Sequence, residues 1–259
     1  LNISPDHLDR HKTISNYAKT KSRIFHAQRK NDYLYINASN KYSKLFKRIY
    51  KNKKIKSKLI MINKSSYEFL LQKINNKYFK STGNFENLIF AYKIARNFKV
   101  TDKTIVNALN RFKGLPHRQE IVLSTKKILC INDSKATSFD AALQSLTSHT
   151  NIYWIVGGSP KDKDYFKVND IKNRIVKAYI VGKNTSFFTN QLKKDISYFV
   201  ANNLKNALKK IKKDIKINIG ERKTILFSPA AASFDQFKNF ETRGLKFKSL
   251  CKIYASKYI

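Results

Sequence analysis

Short β-rich runs alternate with amphipathic helical segments through the second half of the chain, and this alternation limits the fold more than any other feature. Runs rich in Ile, Val, Leu, Tyr and Phe predict strands over residues 120–124, 127–132, 151–157, 177–182, 197–200 and 223–227. Helices are predicted between most of them, over residues 138–147, 185–193, 202–213 and 233–255. Strands that alternate with helices are typical of parallel sheets covered by helices. The sequence therefore predicts an α/β fold that ends in a Rossmann-like domain.

The first part of the chain is lysine-rich, and its pattern is less regular. Helices are predicted over residues 13–29, 87–98 and 103–112, and a strand over 58–62 within the lysine-rich segment 41–62. Gly114 and Pro116 then interrupt the pattern, as glycine and proline do at turns and linkers. We therefore expect two domains, over residues 1–112 and 113–259.

The chain carries 53 lysine and arginine residues against 17 aspartate and glutamate residues, a net charge of +36. Such a charge favours a polyanionic partner, and the aromatic residues among the lysines of segment 42–58 could stack on the bases of single-stranded nucleic acid. Only 7 glycines and 4 prolines occur, whereas residues encoded by AT-rich codons are abundant. We attribute most of the charge to that codon bias and keep a basic nucleic-acid-binding module as the alternative.

The cysteines and the hydropathy pattern indicate the compartment. Cys130 lies in a predicted strand and Cys251 in the last predicted helix, so both are expected to be reduced, buried and structural, as in a cytoplasmic protein. No run of 18 apolar residues occurs, and we predict no membrane span. The chain begins with Leu1 and shows no signal peptide, so we expect it to begin inside a longer protein.

A polar string, residues 132–138 (Asn-Asp-Ser-Lys-Ala-Thr-Ser), follows one of the predicted strands. Ligands of open α/β sheets bind outside the carboxyl ends of the strands. The helix predicted to follow adds free N–H groups and the positive end of its dipole. The string therefore predicts an anion-binding site; the alternative is a polar turn with a solvated lysine.

Two further loops follow predicted strands, residues 157–161 (Gly-Gly-Ser-Pro-Lys) and 228–232 (Ser-Pro-Ala-Ala-Ala). Small residues let a ligand approach the backbone. Ser233 and Gln236 have the spacing of a capping box, which predicts a helix N-terminus at this point. We expect the three loops to converge on one ligand crevice.

Lys21 lies on the apolar stripe of the helix predicted over residues 13–29, a stripe formed by Ile14, Tyr17, Ala18, Ile24 and Phe25. A lysine that faces inward is costly unless it is paired, modified or extended to solvent along an apolar surface. Two interpretations stay open: a snorkelling lysine at the edge of the stripe, and a modified lysine that serves a metal site together with His7.

Five segments, taken in order, resemble the Mur ligases of peptidoglycan synthesis: residues 1–10 (Leu-Asn-Ile-Ser-Pro-Asp-His-Leu-Asp-Arg), 17–21 (Tyr-Ala-Lys-Thr-Lys), 114–118 (Gly-Leu-Pro-His-Arg), 132–137 and 228–240. The last two resemble most the member that adds D-glutamate to UDP-N-acetylmuramoyl-L-alanine. The family's enzymes activate a carboxylate with ATP as an acyl phosphate, which an amino acid's amine then attacks. The resemblance implies that residues 1–112 are the C-terminal part of the central ATP-binding domain and that residues 113–259 bind the amino acid.

The resemblance also implies roles for individual residues. His7 and a carbamylated Lys21 would hold Mg²⁺ and take part in catalysis. The ATP contacts would be Arg118, Asp133 (on the ribose) and, on the adenine side, Asn84 with Asn87, although the histidine that the family has before the first asparagine is missing. The D-glutamate site would comprise Lys135, which also stabilises the charge of the transition state, with Thr137, Ser233 and the backbone of Phe240. Lys161 would clamp a substrate carboxylate, in a loop whose spacing departs from that of the family.

Two features of the family have no counterpart in the sequence: the phosphate-binding loop G-x-x-x-x-G-K-[ST] and a UDP-binding domain. Because that loop binds the phosphates of ATP, we expect the chain alone to be inactive. It is expected to be a C-terminal fragment of a larger monomeric ligase, whether a truncated sequence, the product of a split gene or a decayed remnant. A ligase for another amino acid is the nearest alternative function.

Overall fold

The computed structural model describes residues 3, 8–161, 164–215 and 221–254. The chain divides into two compact units, Leu1–Lys113 and Gly114–Ile259. Each unit has its own sheet and its own hydrophobic core. No helix within the described ranges is long and apolar enough to span a membrane.

The first unit is mainly helical around a two-stranded parallel sheet. Its elements are α1 (Leu8–His11), α2 (Ile14–Lys21), β1 (Tyr33–Asn37), α3 (Ser43–Asn52), β2 (Lys58–Ile62), α4 (Phe69–Lys73), α5 (Thr82–Asn97) and α6 (Asp102–Arg111). β1 and β2 pair with Tyr33 opposite Lys58. The predicted strand over residues 58–62 is confirmed as β2.

β1 and α3 were not predicted, and in α3 the reason is that lysines hide the pattern. In α3, Phe46 is buried, and Leu45, Ile49 and Tyr50 pack around it at helical spacing. Lysines and an arginine fill the solvent side of the same helix, so that its average composition indicates no core-forming segment. The buried face of the helix is formed by a few apolar residues alone.

The helix predicted over residues 13–29 is interrupted. α2 ends at Lys21, and Ser22–Ala27 continue as a 3₁₀ helix. A 3₁₀ helix has three residues per turn instead of 3.6, which rotates the following residues away from the α-helical stripe. As a result Phe25 is buried, as predicted, whereas Ile24 is 70% exposed, and its predicted place on the buried stripe is wrong.

The second unit is a three-layer α/β domain, which confirms the predicted fold class. Its strands are β3 (Glu120–Ser124), β4 (Ile128–Asn132), β5 (Ile152–Gly157), β6 (Ile175–Val181), β7 (Tyr198–Asn202) and β8 (Lys223–Phe227). They form one sheet in the order β3-β4-β8-β5-β6-β7, parallel except for β3, which runs antiparallel to β4. Its helices are α7 (Phe139–Thr147), α8 (Thr185–Leu192), α9 (Leu204–Asp214) and α10 (Phe240–Tyr254).

Buried side chains cover both faces of this sheet. Trp154 and Phe188 lie in the cluster on the α7 and α8 side, and Tyr179, Phe227 and Phe247 in the cluster on the α9 and α10 side. All five are at most 1% exposed. Alternate residues of a strand point to opposite faces, so a strand buried on both faces is apolar throughout, as β5 is. The central strands are therefore packed on both faces up to their carboxyl ends.

The last helix begins seven residues later than predicted. The side chain of Asn239 accepts hydrogen bonds from Thr242 N at 2.8 Å and Thr242 Oγ1 at 2.7 Å, and α10 begins at Phe240. The predicted capping box is wrong, because Ser233 instead begins a turn in which its carbonyl accepts from Gln236 N and Phe237 N. The Gln236 side chain donates to the carbonyl of Asn202, so it is not available for a cap. Residues 228–239 thus form a long loop that ends at the carboxyl edge of the sheet.

Candidate active site at the carboxyl edge of the second sheet

The three predicted loops follow neighbouring strands. β8 lies between β4 and β5, and the three strands are parallel, so their carboxyl ends lie side by side at one edge. The loops also contact each other: Ser159 and Ala232 exchange two backbone hydrogen bonds of 2.9 Å each. The loops therefore meet at one edge of the sheet, as predicted; the ligand crevice between them stays a prediction.

Asp133 directly follows β4 at this edge and is 4% exposed. Its Oδ1 accepts a hydrogen bond from Gln119 N at 3.1 Å, and its Oδ2 accepts from the hydroxyls of Ser145 at 2.5 Å and Ser228 at 2.9 Å. Burial raises the pKa of the Asp133 carboxyl to about 6, although these hydrogen bonds act in the opposite direction. Oδ1 accepts only one of these bonds, which leaves it able to accept a ligand hydroxyl.

Lys135 is exposed, and its Nζ lies 3.9 Å from the centroid of the Phe240 ring. Its backbone N–H donates to the carbonyl of His117 at 2.9 Å. The hydroxyl of Ser134 donates to the carbonyl of Phe240 at 2.8 Å, so the loop after β4 is attached to the start of α10. Thr137 is half-buried further along this loop. The structure thus brings three of the predicted D-glutamate contacts together, Phe240 from more than 100 residues away in the sequence.

Arg118 lies in a strained turn next to this loop and is half-buried. The residues on either side of it have left-handed backbone, His117 with φ 61° and Gln119 with φ 46°. Hydrogen bonds to carboxylates hold both: His117 N donates to Glu120 Oε2 at 3.0 Å, and Gln119 N donates to Asp133. Lys248 of α10 pairs with the other oxygen of Glu120. Strain of this kind concentrates at functional sites, where the surrounding structure maintains it.

The loops after β5 and β8 pack tightly against each other. Gly158 has φ 142°, and a Cβ atom there would lie 2.3 Å from the carbonyl oxygen of Ala232, so only glycine fits. Ser233 is 2% exposed and directly follows this contact. Lys161 is half-buried at the end of the β5 loop. Four of the five residues predicted to form the substrate site in this unit thus lie in these neighbouring loops, and the fifth, Phe240, begins α10.

Arg243 is a buried residue of the site that sequence reasoning missed. It is 3% exposed, in the first turn of α10. Its Nε donates to Ser134 Oγ at 3.1 Å, and its Nη2 donates to the carbonyls of Ser134 and Ala231, both at 2.9 Å. Burial lowers the pKa of the guanidinium to about 10. An arginine in a lysine-rich chain gives no signal by itself; only its spacing of three residues from Phe240 could have indicated an inward position.

The first unit holds the other predicted residues, and Lys21 differs from its prediction. Its side chain is exposed and lies over the Tyr17 ring, 5.3 Å from the centroid, so the predicted inward orientation is wrong. Lys21 is the last residue of α2, and an ammonium group without a carboxylate partner is more stable in water. His7 lies outside the described residues. The part of the chain that the structure describes contains no group of three His, Cys, Asp or Glu side chains able to hold a metal. Because His7 lies outside that part, the magnesium site of His7 and Lys21 stays a prediction.

Asn84, the predicted adenine contact, is 4% exposed and donates from Nδ2 to the carbonyl of Tyr78 at 2.9 Å. This hydrogen bond ties α5 to the preceding 3₁₀ turn. Asn87 is exposed one turn further along α5. The side chain of Asn84 therefore stabilises the fold of the first unit through this hydrogen bond, and its contact with adenine stays a prediction.

The aromatic residues of segment 42–58 do not offer a stacking surface for nucleic acid. Phe46 is 7% exposed, and Tyr42 and Tyr50 pack against the same cluster. The hydroxyl of Tyr50 donates to the carbonyl of Ser57 at 2.6 Å. Stacking of bases requires exposed aromatic faces, and here these rings fill a core.

Comparisons with known proteins agree with this architecture. Residues 1–109 match the Mur ligase middle domain. The UDP-N-acetylmuramoylalanine--D-glutamate ligase of Rickettsia felis is 35% identical over 97% of this chain and 59% of its own length, and that of Rickettsia prowazekii is 35% identical over 97% of this chain and 60% of its own length. The chain thus spans about three fifths of these relatives.

Among solved structures, MurF from Acinetobacter baumannii has a TM-score of 0.66 at 15% identity, over 96% of this chain and 58% of that one. At this identity the likeness concerns the fold alone. The family match in the first unit and relatives that align over nearly the whole sequence lead to one conclusion: residues 1–109 match the middle domain of the Mur ligases, and the chain is similar to members of that family along nearly its whole length.

Proposed function

We propose that this chain is the C-terminal part of an ATP-dependent ligase that adds D-glutamate to UDP-N-acetylmuramoyl-L-alanine in the cytoplasm, during peptidoglycan synthesis. The observation that carries the proposal is the contact between Lys135 and Phe240, 3.9 Å from ammonium to ring centroid, at the edge where the three loops meet. The names of the relatives support the same substrate.

The amino-acid site would use a cation and a helix N-terminus. The exposed Lys135 ammonium would bind a carboxylate of D-glutamate. The N–H groups of Phe240 and Glu241 would bind it as well, since Asn239 already accepts from the next two N–H groups of α10. Ser233 and Thr137 would add hydroxyl groups from the neighbouring loops. These donors would place the amine of D-glutamate toward the activated carboxylate of the second substrate.

The nucleotide side would use Arg118 and Asp133. The Arg118 guanidinium is half-buried, and its charge partly offsets the rise that burial causes in the pKa of the neighbouring Asp133 carboxyl. It would bind phosphate oxygens of ATP. Asp133 Oδ1 would accept a ribose hydroxyl. ATP, when bound, would supply the phosphoryl group that activates the carboxylate; Lys135 would neutralise charge that develops on the phosphate.

The proposal is tested by binding of D-glutamate to the chain itself, followed by isothermal titration calorimetry or amide chemical shifts. Lys135→Ala should raise the Kd at least about tenfold, the effect of losing one charge-assisted hydrogen bond. Lys126→Ala is the matched control, because Lys126 is exposed in the turn before β4, at the opposite end of that strand. Equal Kd values for the two variants, or no preference of the unaltered chain for D- over L-glutamate, would refute the proposal.

A further inference from the structure

Arg243 is a buried cation without an ion-pair partner among the described residues. Asp235 acts on it only at longer range. One of its nitrogens, Nη1, is buried and has no hydrogen-bond partner in the described part of the chain. The guanidinium carbon lies 5.8 Å from the centroid of the Phe227 ring, which offsets part of the cost of burying the charge. Because a buried charge without an ion-pair partner is still costly, a stability role alone does not account for an arginine at this position.

The contacts of Arg243 reach all three loops of the candidate site. Its Nε and Nη2 bind Ser134, in the loop that carries Lys135 and Thr137. Its Nη2 also binds the carbonyl of Ala231, two residues before Ser233. Its Nη1 lies against Gly158, where a Cβ atom would be 3.1 Å from it.

The same arginine also fixes the start of α10. Ser134 Oγ accepts from Arg243 and donates to the carbonyl of Phe240, so the hydroxyl forms a chain of hydrogen bonds between the two. The planar guanidinium donates in fixed directions. Its direction therefore sets the distance between the β4 loop, the β8 loop and the first turn of α10.

We propose that Arg243 is a positioning residue that holds the loops of Lys135, Ser233 and Phe240 at the spacing that D-glutamate requires. The inference rests on the proposed function for the identity of the ligand, but not for the mechanical role. A cation is needed because a neutral side chain does not offer donors to three carbonyl and hydroxyl acceptors in one plane. Because Arg243 itself is enclosed, it acts on the substrate through these loops and not by direct contact.

The experiment compares Arg243→Lys and Arg243→Met with Arg222→Met in the whole chain. Arg222 is an exposed arginine of the same unit, bound through Nη2 to Ser124 Oγ. We expect Arg243→Lys, which keeps the charge and one donor direction, to raise the Kd for D-glutamate about tenfold, and Arg243→Met to raise it further, whereas Arg222→Met leaves it unchanged. The preference for D- over L-glutamate should fall in the same order.

That preference separates positioning from folding. A variant that merely unfolds more has fewer binding sites, but the sites that remain keep their Kd and their stereochemical preference. Unchanged Kd and preference in both Arg243 variants, at a reduced number of sites, would overturn the inference.

Hydrogen–deuterium exchange tests the mechanical role without any ligand. In Arg243→Lys, amides of residues 134–137 and 231–233 should exchange about tenfold faster, while those of residues 188–192, in the second half of α8 on the opposite face of the sheet from α10, keep their rates. Unchanged exchange in the two loops would refute the positioning role whatever the ligand is. Faster exchange in a chain that binds no D-glutamate would refute the proposed function alone.

Discussion

Replacement of Asp133 by asparagine should make the second unit more stable at neutral pH, even though it alters a central residue of the candidate site. Burial raises the pKa of this carboxyl from the ordinary 3.8 to about 6 in the folded chain. Between these two values the folded protein binds more protons than the unfolded one, so the free energy of unfolding falls as the pH rises. The ionised carboxylate therefore destabilises the folded state above pH 6.

The size of the effect follows from the two pKa values. A difference from 3.8 to about 6 corresponds to about 3 kcal/mol at pH 7.5 and about 1 kcal/mol at pH 4.5. Asparagine does not ionise, and its amide can keep the three contacts: Oδ1 accepts from Gln119 N, and Nδ2 donates to the hydroxyl oxygens of Ser145 and Ser228, which rotate. Asp133→Asn should thus gain most of this free energy at pH 7.5 and much less at pH 4.5.

Trp154 provides the assay. It is the only tryptophan of the chain, is fully buried in the second unit, and its Nε1 donates to the carbonyl of Ser228 at 2.7 Å. Its fluorescence during urea unfolding at the two pH values reports the stability of this unit. Asp140→Asn is the matched control: Asp140 is exposed in the first turn of α7, and its replacement should cost at most about 1 kcal/mol at either pH.

The result that would refute the reasoning is a loss of stability in Asp133→Asn that is equal at the two pH values. Such a loss would mean that burial and the hydrogen bonds from Ser145, Ser228 and Gln119 cancel, so that folding leaves the pKa of Asp133 unchanged. A gain at pH 7.5 accompanied by weaker nucleotide binding would instead indicate that the site keeps an unfavourable charge because its ligand requires it.

Two further predictions concern packing. Gly244→Ala would place a Cβ atom 2.2 Å from Nδ1 of His117, whose ring is bound by the Asn132 side chain. This clash should lower the free energy of unfolding by about 1–3 kcal/mol, although alanine has the better helix propensity. A higher urea midpoint of the variant, followed by Trp154 fluorescence, would contradict the prediction. Lys21→Ala should change the stability of the first unit by less than about 0.5 kcal/mol, because its side chain is exposed. If the free energy of unfolding, measured by circular dichroism, fell by more than about 2 kcal/mol, the Lys21 side chain would face inward after all.

The sequence by itself determined the fold class, most strand positions and the three loops of the candidate site. β2, β3 and β8 lie at their predicted residues, because runs of Ile, Leu and Val between turn residues are a local signal. Lys135 and Thr137 could be placed after β4 for the same reason. The start of α10 was misplaced, because Ser233 and Asn239 both carry cap-forming side chains and the competition between them is decided by what each contacts.

The tertiary structure decided which of these residues meet. The order of strands brings β4 next to β8 and β5, and no local pattern determines that order. Three features of the site depend on partners about 100 residues away in the sequence: Asp133 is bound by Ser228, Lys135 lies over Phe240, and Arg243 binds Ser134. The other partners, Ser145, Gln119 and Ala231, are nearer in the sequence. A charged residue has the same local pattern whether it is solvated or buried; only the groups packed around it set its pKa, its partners and its role.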